Sequence, residues 1–158
     1  MITTQHVFAK AEMLIRKPVA EVFNAFIDPD GTTKFWFTKS TGKLTAGNSV
    51  QWTWEMYNHT TTVWVKTINQ NKNIIIEWGD EKEKTIVEWT FTPIGNDATF
   101  VSIVNGNFLG DTERIISSLR DSTEGFTLVL AGLKAWLEHG IQLNLIADRF
   151  PKGLEKEV

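Results

Sequence analysis

The sequence predicts an α+β domain in which a curved antiparallel sheet wraps a long C-terminal helix, with two short helices after the first strand. Residues 7–16 alternate polar with apolar side chains, as a strand with one buried face does. From Thr38 to Gly106 short β-type runs are separated by turn formers at hairpin spacing, which makes neighbouring strands antiparallel. After Asp111 the apolar period becomes helical, and no βαβ crossover intervenes that would build a parallel sheet.

Each element follows from its own signals. Val7, Ala9, Ala11, Met13 and Ile15 form the apolar side of the first strand, opposite Phe8, Lys10, Glu12, Leu14 and Arg16. Pro18 suits a helix start, and Val19, Val22, Phe23 and Phe26 recur at helical spacing until Asp28-Pro29-Asp30-Gly31 stops the run in a turn. Thr32 to Phe37, with Phe35, Trp36 and Phe37 together, reads as a second short helix or turn. Gly42 to Gly47 bounds the first β-type run. Ser49 to Tyr57 reads as a strand with Val50, Trp52, Trp54 and Met56 on one face, closed by Asn58-His59. Thr60 to Ile68, Ile74 to Trp78, Thr85 to Thr92 and Ala98 to Gly106 complete the meander, joined by polar turns at 69–73, 79–83 and 93–97. In the last region Asp121-Ser122-Thr123-Glu124 offers capping residues, and Phe126, Val129, Leu133, Trp136 and Leu137 share one face of a helix that follows. Gly140 is a natural stop, and the charged stretch from Asp111 to Asp121 precedes the helix as a solvated segment. The first strand is expected to pair with the last.

With 158 residues, 42% hydrophobic and 22% charged, the chain fits one domain, 1–158, with an ordered core at about 7–150. A net charge of −3 lacks the basic footprint that collects phosphates, so nucleic acid is not an expected partner. The absence of cysteine excludes thiolate chemistry and disulfides. Neither a signal-peptide pattern nor a membrane-spanning run is present, which makes the cytoplasm the expected compartment. His6, His59 and His139 have no metal-ligand spacing, and no Gly-rich phosphate loop or Gly-x-Ser-x-Gly elbow occurs, so neither metal nor cofactor is expected.

The opening strand into Ile15-Arg16-Lys17-Pro18-Val19-Ala20-Glu21-Val22-Phe23-Asn24-Ala25-Phe26, then Asp28-Pro29 with Phe35-Trp36-Phe37, then Thr123-Glu124-Gly125-Phe126 and Leu130 to Gly140, follow one another in a specific order. That order resembles the START-like, or SRPBCC, superfamily, in the branch named for homology to the activator of a heat-shock chaperone ATPase. The resemblance runs from about Phe8 to about Gly140 and implies the helix-grip fold. It implies no single activity, since the superfamily includes carriers of hydrophobic ligands, cyclases and aromatases, and chaperone regulators.

Seven tryptophans and ten phenylalanines against one tyrosine suit a wide aromatic interior. Trp52 and Trp54 share one strand face, Trp89 and Phe91 another. Facing Phe126, Val129 and Trp136 across the interior, they either line an apolar cavity or pack into a filled core. The expected role is binding of a small hydrophobic molecule, such as a lipid or an aromatic, at these residues. One alternative is a cyclase- or aromatase-like enzyme using Glu77, Tyr57 or Asn105 as its polar group; the other is a domain that docks on a protein partner.

Overall fold

The computed structural model describes residues 7–154; His6 and the end of the charged tail at 155–158 lie outside them. The elements run β1 (Phe8–Ile15), α1 (Val19–Ile27), α2 (Pro29–Thr32), β2 (Lys39–Ser40), β3 (Ser49–Trp54), β4 (His59–Asn69), β5 (Asn73–Trp78), β6 (Thr85–Ile94), β7 (Ala98–Gly106), α3 (Thr112–His139) and α4 (Leu145–Arg149). Among the described residues the strands form a seven-stranded antiparallel sheet in the order β1-β7-β6-β5-β4-β3-β2. The first strand pairs with the last, Phe8 opposite Gly106 through Ile15 opposite Thr99. This is the α+β helix-grip architecture, with α3 held against the inner face.

The core follows strand parity. Trp52, Val63, Val65, Ile74, Ile76, Val87, Trp89, Phe91, Val101 and Ile103 are all buried on the inner face, and Phe126, Val129, Leu130 and Leu133 of α3 meet them. The rings interlock: Phe37 stacks on Trp52 at 4.6 Å between centroids, while Phe23 meets Phe91 edge-on at 5.3 Å. Gly132 lets α3 come close, since a Cβ there would lie 3.1 Å from Phe35 Cβ and 3.3 Å from its carbonyl oxygen.

Several local expectations give way to tertiary context. The second short helix is Pro29–Thr32, on the residues read as a turn; Asp28 caps it by accepting from Asp30 N, and buried Thr32 donates to Ala25 O at 2.6 Å. Residues 41–48 form a loop, not a strand, anchored by buried Leu44, whose N–H donates to Ile27 O. β3 ends at Trp54 because Glu55–Tyr57 turn into a 3-10 helix capped by left-handed Asn58, so Met56 leaves the tryptophan face and His59 opens β4. β6 runs on through Pro93. Its β5 partner ends opposite Thr90, and Pro93 shares the parity of Phe91, whose N–H points to that side, so the missing donor faces no strand.

α3 begins far earlier than Asp121. Asp111 is its N-cap, accepting from Arg114 N at 2.9 Å, and the charged stretch is the front of a 28-residue helix. Gly140, left-handed at φ 66°, ends it with the αL-type bond from Gly140 N to Trp136 O, and Ile141 N donates further back to Ala135 O. The back half packs on β1. There Lys134 Nζ donates to Leu14 O at 2.9 Å, and Arg16 N donates to Glu138 Oε2 at 2.9 Å, the carboxylate also accepting from Lys134. The front half overhangs the open end of the sheet, where the site lies.

Candidate ligand cavity between the sheet and the front of the long helix

Trp36, delivered by the turn after α2, sits at the hub of the aromatic cluster. Its ring lies 4.9 Å from Trp52, 5.9 Å from Trp78 and 5.6 Å from Phe126. On one side of this hub the rings fill all space; on the other they face a cavity with two adjoining lobes that share Trp78, Thr85 and Ile146. One lobe, about 460 Å3, is bounded by Trp54, Tyr57, His59 and Thr61. The other, about 440 Å3, lies beneath α3 and is bounded by Trp36, Asn105, Phe108, Phe126 and Val129. Each volume falls in the range of small-molecule sites.

Gly125 lines the second lobe, and a Cβ built there would meet nothing within 4 Å. A glycine inside a helix costs about 0.5–1 kcal/mol relative to alanine. At Gly132 close packing accounts for it; at Gly125, where a Cβ would meet open space, no packing contact does.

Polar groups enter this wall as one connected set. Asn105, buried on the inner face of β7, donates from Nδ2 to Ile86 O at 2.8 Å and to Thr85 Oγ1 at 3.2 Å. Trp78 Nε1 also donates to Thr85 Oγ1, at 3.0 Å, and Ser122 Oγ donates to Asn105 Oδ1 at 2.9 Å. Ile86 O can only accept, so the amide nitrogen must face it and the amide oxygen must face Ser122. Polar contacts flank the open mouth. Arg114 grips Glu83 with a bidentate pair at 2.6 and 3.2 Å, and that hydrogen bond with the guanidinium charge holds the carboxylate below its ordinary range. Arg149 pairs with Glu124, and the Tyr57 hydroxyl donates to Ile146 O, its pKa pushed up by burial.

The sequence model of the family described as "Activator of Hsp90 ATPase homolog 1-like protein", AHSA1, matches residues 16–138. The chain belongs to this family. It is the branch of the START-like superfamily that the order of motifs resembles. Among solved structures, a Staphylococcus saprophyticus protein superposes on this AHSA1-family chain with a TM-score of 0.74 at 24% identity, over 86% of this chain and 95% of that one. The Aha1 dimer from Colwellia psychrerythraea gives 0.73 at 18% identity over 85% and 98%, and an Hsp90 activator from Plasmodium falciparum 0.66 at 15% over 84% and 96%. At these identities the likeness is one of fold. Comparison with curated proteins gives no match.

Within this AHSA1-family domain the residues singled out in the sequence divide. Trp54 lines the first lobe, and Phe126 and Val129 line the second. Trp52, Trp89 and Phe91 lie in the filled part of the core, the indole N–H of Trp89 having no acceptor among the described residues. Trp136 is half-buried at the far side of α3, with Lys34 Nζ 5.7 Å from its ring centre, and borders neither lobe. Of the polar suspects, Tyr57 and Asn105 border the cavity, whereas Glu77 points outward and pairs with Lys66 at 2.9 Å. Sequence reasoning missed Trp36, Trp78, Thr85, Ser122, Gly125 and Ile146. Only Gly125 left a local signal, a glycine within a helical stripe.

Proposed function

We propose that this AHSA1-family domain binds a small, flat, largely apolar molecule between the front of α3 and the open end of the sheet. The observation that carries the reading is Gly125: the helix gives up a side chain facing a void that nothing else in the fold requires. Aromatic walls at Trp36, Trp54, Trp78 and Phe126 supply stacking surface and exclude water from the occupant.

Replacement of Gly125 tests it, because a leucine there fills the lobe while raising helix propensity. Titration with 2-ethylnaphthalene, followed by tryptophan fluorescence, is expected to show saturable binding to the natural chain and at least tenfold weaker binding to Gly125→Leu. Equal affinity in the two proteins would place the probe elsewhere and end the reading. Native mass spectrometry of protein purified from its host is expected to carry the added mass of a small organic molecule.

A second reading, docking on a chaperone as the family description suggests, is favoured by the exposed apolar side chains Ile141, Leu143 and Phe150 at the end of the chain's helical region. Stimulation of a chaperone ATPase that Leu143→Asp and Phe150→Asp abolish would support it.

A further inference from the structure

Thr85 is the one polar residue that borders both lobes and holds a hydroxyl whose direction is fixed. Its oxygen accepts from two groups that can only donate, Trp78 Nε1 at 3.0 Å and Asn105 Nδ2 at 3.2 Å. A hydroxyl oxygen has two lone pairs and one proton, so both lone pairs are occupied and the proton is left over. That hydroxyl donates to no group among the described residues. Of the other wall hydroxyls, Tyr57 and Ser122 already donate their protons to Ile146 O and Asn105 Oδ1, and Thr61 and Ser118 have no pair of donors that fixes theirs. Thr85 is therefore a preoriented donor inside an aromatic site, and a ligand that meets it gives up no rotor freedom of the protein.

Charge narrows the class further. No lysine or arginine borders either lobe among the described residues, while Glu83 and Asp121 do. Among the described residues, an anionic ligand in the second lobe would face Asp121 with no basic side chain on the wall; in the first, Glu83 is already paired with Arg114 and His59 is the one basic residue on the wall.

We propose that the cavity selects a neutral aromatic molecule carrying a hydrogen-bond acceptor, a carbonyl or ether oxygen or a ring nitrogen, which receives the Thr85 hydroxyl proton. This rests on the reading above that the cavity binds a flat apolar molecule, and it adds the polar contact that orients the occupant. The acceptor sits at the junction of the lobes, over the Trp78 edge, with the ring system extending toward Phe126 or toward Trp54.

Two probes of matched shape separate this inference from the reading beneath it: 2-acetylnaphthalene, which carries a carbonyl, and 2-ethylnaphthalene, which does not. The ketone is expected to bind at least as tightly as the hydrocarbon despite being harder to strip of water. Its infrared carbonyl stretch in the complex should fall below the value in hexane, keep that position in Thr85→Ser and change in Thr85→Ala. A stretch at the hexane value, or one identical in the natural chain and Thr85→Ala, overturns the Thr85 contact while binding of the hydrocarbon leaves the apolar cavity standing. Failure of both probes to bind overturns the two together.

Discussion

Two glycines seven residues apart on one face of α3 have opposite reasons to be glycine. Gly132 is pressed against Phe35, so Gly132→Ala is expected to destabilise the fold by about 1–3 kcal/mol through overpacking, measured by urea unfolding. Gly125 faces open space, so Gly125→Ala should instead stabilise by about 0.5–1 kcal/mol. The same sign in both variants would contradict the distinction. Trp89 belongs with the packed residues: it is 1% exposed and touches Phe26, Trp36 and Phe126, so Trp89→Ala should cost about 3–5 kcal/mol. Strand parity identifies such a side chain as inward. It does not report what stands opposite, and this is why Trp54, Trp52 and Trp89 look equivalent in the sequence although only Trp54 reaches the cavity.

At the scale of elements, the sequence is clearest where one force acts alone. β1, α1 and the strands from β5 to β7 obey a period because each lies on a single boundary between core and water, whereas β4 breaks its period at a bulge between Val65 and Thr67. α3 conceals its start because its front turns carry only Ile115, Ile116 and Leu119 among charged and hydroxyl side chains. Asp121, Ser122 and Thr123 look like caps, yet in the helix Thr123 Oγ1 donates back to Leu119 O, satisfying its hydroxyl within the element. The true cap, Asp111, gives a direct test: Asp111→Ala should lose about 1 kcal/mol by thermal unfolding, whereas Asp121→Ala should be near neutral. Strand-like alternation runs three residues past the end of β3 for a comparable reason. Met56 keeps alternating polarity through a 3-10 turn that only left-handed Asn58 discloses.

For the whole molecule, sheet order and the grip of α3 follow from hairpin lengths and a broad helical stripe, whereas the site arises where β5, β6, β7, α3 and α4 converge, a juxtaposition no local pattern encodes. The Lys134–Glu138 pair within α3 is tied by hydrogen bonds to the backbone at the end of β1. Burial of the Glu138 carboxylate works to raise its pKa, but donation from Lys134 and Arg16 N, with the charges of Lys134 and His139, outweighs that and holds it below the ordinary range. A carboxylate whose pKa is lower in the folded state adds stability that is complete above its unfolded pKa of about 4.3 and fades as pH falls through the folded value. Acid unfolding of Glu138→Gln is therefore expected to show a shallower pH dependence below about pH 4.3 than the natural chain. Superimposable profiles would remove Glu138 from the linkage. The same contacts have a colloidal consequence. β1 is the last strand of the sheet, and Leu14 O and Arg16 N are backbone groups on its rim that another molecule would need for templated strand addition. With side chains from α3 already seated on them, these two groups at the end of the edge strand are withdrawn from such pairing, and acid that neutralises Glu138 loosens the hold on Arg16 N.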